Sequence, residues 1–207
     1  MKFYGKTLMF RRGTNVTLFL SYKCNIYCPY CSLAQVNGKY PVGKELTLDE
    51  WKEWFNVGFP VKIREVYLSG GEPSLVPYIV ELTNFLLDKG YHVLLFSNLA
   101  RVDRLEKIKK SYRFYVRATY HHVDDKERFD KAYQRLIKTH PVIVDEFEYK
   151  VLPYSRVKND WGTIPFWKVP AAFRVGCDGS LYKSIFDHVT SMTKKSDLIY
   201  EDMCESK

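Results

Sequence analysis

The chain has 207 residues, of which 46% are hydrophobic and 27% are charged, and its formal net charge is +8. This length and composition are typical of one globular domain with a buried core, so a disordered chain is excluded and a single domain over residues 1–207 is predicted. No apolar run is long enough to cross a bilayer, which argues against a membrane protein. The first residues lack the apolar core of a signal peptide, so we expect a cytoplasmic protein.

Lysine and arginine outnumber aspartate and glutamate by 32 to 24. A basic surface can attract nucleic acid, nucleotides or an acidic protein. The basic residues are scattered among acids, however, and the densest basic run, at 107–110, is typical of the exposed end of a helix. The charge therefore favours a solvated basic surface and gives little reason to expect nucleic acid as a partner.

Strand and helix patterns alternate from residue 14 to residue 152. Apolar runs predict strands at 14–21, 64–69, 91–97, 114–120 and 142–152. Helix starts are indicated by a capping box at Thr47 and Glu50, by Pro77, by Val102 and by Asp124. Such alternation predicts parallel βα units, and the expected fold is an incomplete, TIM-like (β/α)6 barrel of the α/β class with a parallel sheet.

The C-terminal part, residues 153–207, is less regular than the part before it. An Asp-Gly pair at 178–179 separates two short apolar runs and predicts a β-hairpin there. The fourth helix is expected to bury Phe129, Tyr133, Leu136 and Ile137. No repeat, linker or low-complexity tract divides the chain.

Three cysteines, Cys24, Cys28 and Cys31, lie in one short loop with the spacing C-x3-C-x2-C, directly after the first predicted strand. Thiolates are the usual ligands of iron–sulfur clusters, and a fully ligated cubane cluster takes four of them. Three local ligands leave one iron open unless a distant residue closes the site. An open metal position is typical of a catalytic site rather than a structural one.

Other uses of the three cysteines stay open at this point. A zinc site of the Cys3His type needs a histidine, and His92, His121 and His122 can approach the loop only through the fold. A disulfide framework is disfavoured because the thiols are crowded and nothing else suggests secretion. A cluster used only for electron transfer normally has a fourth cysteine nearby. The alternative that we retain is a basic nucleic-acid- or protein-binding module with a structural zinc at the three cysteines.

The cysteine spacing, with Tyr30 before the last cysteine, resembles the radical S-adenosylmethionine (radical SAM) superfamily. The segment Gly-Gly-Glu-Pro at 70–73 matches the second motif of that family and also follows a predicted strand. The resemblance covers roughly residues 14–152. It implies an enzyme in which a [4Fe–4S] cluster binds S-adenosylmethionine and cleaves it reductively to a 5′-deoxyadenosyl radical, which takes a hydrogen atom from a substrate.

The same resemblance implies roles for individual residues. Cys24, Cys28 and Cys31 are expected to hold three irons. Gly70 and Gly71 are expected to let the backbone approach the cofactor closely, and Glu72 either accepts a hydrogen bond from the methionine ammonium or holds its loop.

Further cofactor contacts are expected at the ends of later strands. Ser97 and Asn98 end the third strand where family members place ribose-contacting groups, although Leu99 follows where many members have glycine. Arg117 and Thr119 share one face of the fourth strand and are candidates for the cofactor carboxylate, because arginine binds carboxylates with two parallel hydrogen bonds. The backbone near Tyr30 and near Leu152 is expected to lie close to the adenine.

Catalytic residues beyond cofactor binding are not identified by the sequence. Tyr120, His121 and His122, at the end of the fourth strand, and Cys177, in the hairpin, are candidates for substrate chemistry. Only two cysteines remain outside the loop, so a minimal single-cluster member is expected. The substrate is expected to be a small molecule, a nucleotide, a peptide or a glycyl-radical partner protein. The electron is expected from an external donor such as flavodoxin or ferredoxin.

Overall fold

The structure is a computed structural model, and it describes residues 14–28, 31, 45–57, 63–147, 172–175 and 181–182. The described strands are β1 (Thr14–Phe19), β2 (Ile63–Ser69), β3 (His92–Ser97), β4 (Phe114–His121), β5 (Val142–Phe147), β6 (Ala172–Val175) and β7 (Leu181–Tyr182). The described α-helices are α1 (Leu48–Val57), α2 (Ile79–Asp88), α3 (Val102–Leu105) and α4 (Lys126–Leu136). A 3₁₀ turn spans Pro73–Leu75.

The strands form one sheet in the order β5-β4-β3-β2-β1-β6-β7. Neighbouring strands from β5 to β6 run parallel, whereas β6 and β7 pair antiparallel. The parallel α/β sheet of a partial barrel and the C-terminal hairpin, both predicted from the sequence, are confirmed.

The place of the hairpin was not predicted. β6 lies beside β1, with Asn15 opposite Ala172 and Leu18 opposite Val175, so β1 is an interior strand. The side chains of β1 explain this position, because Thr17 and Phe19 are buried on one face while Val16 and Leu18 are buried on the other. A strand that is buried on both faces is expected inside a parallel sheet.

Alternate strand residues join the helices in one hydrophobic core. Strand residues such as Leu18, Leu68 and Leu95 pack in it with helix residues such as Trp51 and Leu86. The opposite face of the sheet, which we call the open face, buries Thr17 and Phe19 of β1, and its other side chains include half-buried or exposed ones: Asn15, Glu65, Tyr67, Phe96, Arg117 and Thr119. This asymmetry directs the apolar residues toward the helices and leaves polar and aromatic groups on the open face.

The helix ends follow the predicted signals with two differences. Thr47 and Glu50 form the expected capping box, with hydrogen bonds of 2.8 and 3.2 Å. Pro77 precedes the cap residue Tyr78 instead of opening α2. Ile137, predicted to be buried, is 41% exposed because it follows the last turn of α4, and Ala132 is buried in the same helix. None of the described helices combines the length and the apolar character that a bilayer crossing requires.

Candidate functional site

The loops that carry the two sequence motifs are paired backbone to backbone at the carboxyl ends of β1 and β2. The ladder between these strands continues past their ends, because Gly71 donates to the carbonyl of Ser21 at 2.7 Å and Glu72 donates to that of Lys23 at 2.8 Å. The loop after β2 therefore lies directly against the start of the cysteine loop. In parallel α/β sheets this edge is where ligands bind.

Gly70 and Gly71 are required by this pairing. A Cβ atom on Gly70 would overlap the carbonyl oxygen of Ser21, and one on Gly71 would overlap that of Lys23. Gly70 also has a φ of +128°, which favours glycine. These glycines were expected to allow a close approach of the cofactor, whereas the structure shows that they allow a close approach of the neighbouring loop.

The start of the cysteine loop is tied to a residue that the sequence analysis missed. Glu45 accepts hydrogen bonds from the hydroxyl of Ser21 at 2.8 Å and from the ammonium of Lys23 at 3.3 Å. Ser21 in turn accepts from the backbone N–H of Lys23 at 3.0 Å. Glu45, together with the hydroxyl of Ser21, thus fixes the first residues of the loop before the first cysteine.

The three cysteines lie close to this anchored segment. Cys28 is buried, Cys24 and Cys31 are half-buried, and the N–H of Cys31 donates to the carbonyl of Cys28 at 2.9 Å. Burial raises the pKa of Cys24, and the nearby charges of Glu72 and Cys31 raise it further. Within the described residues, no three side chains of the histidine, cysteine or acidic type are already gathered into a metal site. The donor set remains one of soft thiolates, which suits an iron–sulfur cluster.

Glu72 is the hydrogen-bonding centre of the site. The residue is only 2% exposed. Its Oε1 accepts hydrogen bonds from the N–H of Ser74 at 2.9 Å and from the hydroxyl of Ser97 at 2.6 Å. Its Oε2 accepts from the N–H of Asn98 at 2.6 Å. Burial raises the pKa of Glu72, and these hydrogen bonds act in the opposite direction. The structure therefore shows Glu72 holding the ends of β2 and β3 together.

Asn98 connects this centre to the cysteine loop. Its side-chain Nδ2 donates to Oδ1 of Asn25 at 2.9 Å and lies 3.9 Å from the sulfur of Cys24. Asn98 is 3% exposed, yet its Oδ1 finds no hydrogen-bond partner in the part of the chain that the structure describes. A buried acceptor without a partner is costly, so this atom indicates a ligand with a donor group. An amine or a ribose hydroxyl of S-adenosylmethionine fits that requirement.

The turn after β3 is held by Arg128, in the first turn of α4, and by Asp124, just before that helix, and neither was expected in the site. The guanidinium of Arg128 donates to the carbonyls of Asn98 at 2.9 Å and Leu99 at 3.0 Å. It also pairs with the carboxylate of Asp124, whose side chain is only 5% exposed. Leu99 has a φ of +62°, the one non-glycine residue with a positive φ among those described. This conformation accounts for the glycine that many family members have at its position.

The candidate residues of β4 divide between its two faces. Arg117 and Thr119 share one face, as predicted, and this is the open face; the guanidinium of Arg117 lies 5.7 Å from the centre of the Phe96 ring. Tyr120 is buried on the opposite face, with its ring 4.9 Å from the ammonium of Lys126. His121 is half-buried, and burial lowers its pKa.

The histidines lie away from the cysteine loop. His92 begins β3, at the edge of the sheet opposite the carboxyl ends of the strands. His121 and His122 end or follow β4, which is three strands from β1 in the sheet order, a separation of about 14 Å at the usual strand spacing. The sheet therefore gives no support to a Cys3His zinc site made with these histidines. Tyr30, Leu152 and Cys177 lie outside the described residues.

The open face carries a short chain of hydrogen bonds below the motif loops. Nδ2 of Asn15 donates to the hydroxyl of Tyr67 at 3.1 Å, and that hydroxyl donates to Oε2 of Glu65 at 2.7 Å. The Tyr67 ring packs edge-on against Phe96, with ring centres 6.1 Å apart. Asn15 and Glu65 are polar residues inside predicted strands, and this was the one sequence signal that could have indicated these hydrogen bonds.

Comparison with known proteins connects this geometry to a family. Residues 18–145 match the sequence model of the Radical SAM superfamily. A PqqA peptide cyclase of Bradyrhizobium diazoefficiens is 30% identical over 112 residues, which are 53% of this chain and 29% of that protein. A protein of Methanocaldococcus jannaschii named as a glycyl-radical enzyme activating enzyme is 32% identical over 92 residues, which are 44% of this chain and 34% of that protein.

A solved structure shares the fold. The crystal structure of BtrN in complex with AdoMet and 2-DOIA aligns with a TM-score of 0.56 over 94% of this chain and 81% of BtrN, at 14% sequence identity. The chain thus spans about three tenths of the length of the curated relatives above, and most of BtrN. The family match covers more than half of the chain and includes both motif loops, the Glu72 centre and the turn that carries Asn98. The chain belongs to the Radical SAM superfamily, whose members use S-adenosylmethionine and a [4Fe–4S] cluster.

Proposed function

We propose that the chain is a radical SAM enzyme in which Cys24, Cys28 and Cys31 hold a [4Fe–4S] cluster with one open iron. When bound, the cluster supplies one electron that cleaves S-adenosylmethionine to methionine and a 5′-deoxyadenosyl radical, and this radical abstracts a hydrogen atom from the substrate. The main support for the proposal is the backbone pairing of the cysteine loop with the diglycine loop, which brings the two family motifs together in one site.

The chain's own residues divide into those that contact the cofactor and those that position the contacts. Asn98 is assigned a direct hydrogen bond to the cofactor through its unpartnered Oδ1. Ser97 and Glu72 are assigned positioning roles, because the Ser97 hydroxyl donates to Glu72 and also accepts from the N–H of Leu99 at 2.8 Å. The carbonyls of Gly70 and Gly71 are assigned as acceptors for the methionine ammonium. Only glycine fits at these two positions, because a Cβ atom there would overlap the cysteine loop.

Arg117 and Thr119 are assigned to the cofactor carboxylate. Both lie on the open face of β4, near the edge of the sheet where the motif loops meet. The Phe96 ring beside Arg117 supports the guanidinium from one side, which favours a fixed orientation of its hydrogen-bond donors. The backbone near Tyr30 and Leu152 is assigned to the adenine, and His121, His122 and Cys177 remain candidates for substrate chemistry on sequence grounds alone. Tyr120 is no longer a candidate, because it is buried on the face of β4 opposite the open face.

The substrate is assigned to the open face, next to the cofactor. Tyr67 and Phe96 give this face aromatic surface, which suits an organic substrate. A peptide is the substrate class that the similar peptide cyclase supports by its name. The electron is assigned to an external donor of the flavodoxin or ferredoxin type in the cytoplasm, where thiolates stay reduced.

The test is anaerobic reconstitution of the full chain with iron and sulfide. We expect about four irons and four sulfides per chain, and release of methionine and 5′-deoxyadenosine when dithionite and S-adenosylmethionine are added. The Cys24→Ala/Cys28→Ala/Cys31→Ala triple variant is expected to lose both the cluster and the release. Colourless protein that retains tightly bound zinc would favour the zinc module instead, and a cluster that never cleaves the cofactor would indicate an inactive relative.

A further inference from the structure

The turn that carries Asn98 is unusual in its backbone. Leu99 is fully buried and has a φ of +62°, a conformation that leucine rarely adopts outside a constrained setting. Its N–H donates to the hydroxyl of Ser97 at 2.8 Å, and the N–H of Asn98 donates to Glu72 at 2.6 Å. Residues in such conformations persist only when the surrounding structure imposes them, and they cluster at functional sites.

Arg128 supplies the constraint from the other side of the turn. Its guanidinium donates to the carbonyls of Asn98 and Leu99 at 2.9 and 3.0 Å, so both peptide groups that flank the left-handed residue are fixed. The nearly buried carboxylate of Asp124 binds the same guanidinium and orients its plane. Arginine can bridge these three groups because its donors lie in a rigid fork.

An ordinary ion pair on the surface of a helix would not account for these contacts. α4 has two other i,i+4 pairs, Lys126 with Asp130 and Lys131 with Glu127, and in both of them both side chains are more than half exposed. The Arg128 side chain is 31% exposed and Asp124 is 5% exposed, and their pair reaches across to another loop. The contacts therefore connect the start of α4 to the turn after β3.

The side chain of Asn98 is what this constraint holds in place. One side of its amide meets Asn25 and the sulfur of Cys24, and the other side leaves a buried oxygen without a partner among the described residues. A rotation of the turn would move both sides together. The site thus depends on the orientation of the Asn98 side-chain amide. That orientation is set by the positive φ of Leu99, a conformation that leucine does not favour by itself.

We propose that Arg128 is a positioning residue for the cofactor: it holds Leu99 in the left-handed conformation and thereby aims Oδ1 of Asn98 at S-adenosylmethionine. The pair of Leu99 and Arg128 does in this chain what a glycine does without help, because glycine adopts a positive φ at no steric cost. This inference rests on the proposed function for the identity of the ligand, and on the geometry alone for the effect of Arg128 on the turn.

The decisive variant is Arg128→Lys, which keeps the positive charge and loses the fork. Anaerobic titration of the reconstituted protein with S-adenosylmethionine is expected to show about tenfold weaker binding, as for the loss of one well-placed hydrogen bond, with the iron content unchanged. Arg135→Ala is the matched control, since Arg135 lies on the same helix and pairs with Glu106 at the surface. Its affinity is expected to equal that of the wild type.

The same substitution is then made in a Leu99→Gly background. Glycine keeps the turn without assistance, so Arg128→Lys is expected to weaken binding by less than about twofold relative to Leu99→Gly alone. Comparison within each background removes the effect of the lost leucine side chain. Equal losses in both backgrounds, or no loss with Leu99 present, would overturn the proposal.

A readout without cofactor separates this inference from the proposed function. In the metal-free protein, amide hydrogen exchange at Asn98 and Leu99 is expected to accelerate about tenfold in Arg128→Lys and to stay at the wild-type rate in Arg135→Ala. Unchanged exchange in Arg128→Lys overturns the positioning role even if the wild type binds the cofactor. Accelerated exchange in a protein whose wild type fails to bind S-adenosylmethionine overturns the proposed function and leaves the effect of Arg128 on the turn in place.

Discussion

Glu72 and Asn98 are joined by a 2.6 Å hydrogen bond from the backbone N–H of Asn98 to Oε2 of the buried carboxylate. Glu72 belongs to the diglycine loop after β2, and Asn98 belongs to the turn after β3. The hydrogen bond therefore fixes the two loops relative to each other. Since the diglycine loop is paired with the cysteine loop, the ends of β1, β2 and β3 form one connected unit around the expected cofactor position.

Glu72→Gln tests the hydrogen bonds that hold this unit together. An amide has one acceptor oxygen, so either the N–H of Asn98 or the N–H of Ser74 would face an NH2 group. We expect the free energy of unfolding to fall by about 1–3 kcal/mol, because a buried donor loses its partner. Urea denaturation of the metal-free protein measures this change. Glu53→Gln, on the exposed surface of α1, is the control and is expected to change stability by less than about 0.5 kcal/mol.

Gly71→Ala tests the close approach of the two motif loops. The new Cβ overlaps the carbonyl oxygen of Lys23, so the cysteine loop has to move and the reconstituted protein is expected to hold less than about half of the wild-type iron. Gly90→Ala is the matched control. Gly90 has a φ of +92° at the end of α2, but a Cβ there meets no atom closer than 4.0 Å. It is expected to cost about 1 kcal/mol of stability without loss of iron, and equal iron loss in both variants would contradict the account.

The parts of the site that could be predicted from the sequence are those in which neighbouring residues alone determine the residue types. The cysteine spacing, the diglycine segment and the alternation of strands and helices each leave a pattern within a few residues. The capping box at Thr47 is local in the same way, and it was confirmed. Local chemistry of this kind is visible without the fold.

The parts that were missed depend on long-range contacts. Arg128 is separated from Asn98 by 30 positions, and Glu45 is separated from Ser21 by 24, so neither pairing leaves a sequence pattern. The place of the hairpin beside β1 likewise depends on which strand edge is open. Leu99 was noticed as a departure from glycine, but its positive φ and the arginine that supports it follow only from the structure.

Asn98 is expected to act on both the cluster and the cofactor, and two substitutions separate these effects. Asn98→Leu removes the buried oxygen and is expected to weaken binding of S-adenosylmethionine about tenfold. Asn98→Asp keeps an acceptor but loses the donor near the Cys24 sulfur. The midpoint potential of its cluster is expected to become more negative, because hydrogen bonds to cluster sulfurs and positive surroundings favour the reduced state. Titration with S-adenosylmethionine measures the affinity, and redox titration measures the midpoint potential of the cluster. An unchanged affinity in Asn98→Leu together with an unchanged potential in Asn98→Asp would contradict the placement of Asn98.

His140 is expected to make stability depend on pH. It is 4% exposed, and its Nε2 lies 3.0 Å from the carbonyl of Ile108. Burial lowers its pKa; the hydrogen bond to Ile108 and the charge of Glu106 oppose this, whereas Lys110 acts in the same direction. Between the lowered pKa of His140 in the folded protein and the ordinary value of 6.5, the unfolded chain binds more protons than the folded one, so stability is expected to rise with pH through this range. Urea denaturation at several pH values measures the slope. If His140→Gln shows the same slope of unfolding free energy against pH as the wild type, other groups cause the effect and the prediction is wrong.

The central claim is that an iron of a cluster held by Cys24, Cys28 and Cys31 is left open for the cofactor. Pulsed electron–nuclear double resonance on the dithionite-reduced protein, mixed with S-adenosylmethionine labelled with ¹⁵N at its amino group and frozen before the cofactor is cleaved, tests it most directly. The account predicts a resolved coupling between this nitrogen and the cluster, which disappears when unlabelled cofactor is used. A reduced cluster that shows no coupling to the labelled nitrogen at saturating cofactor would contradict it.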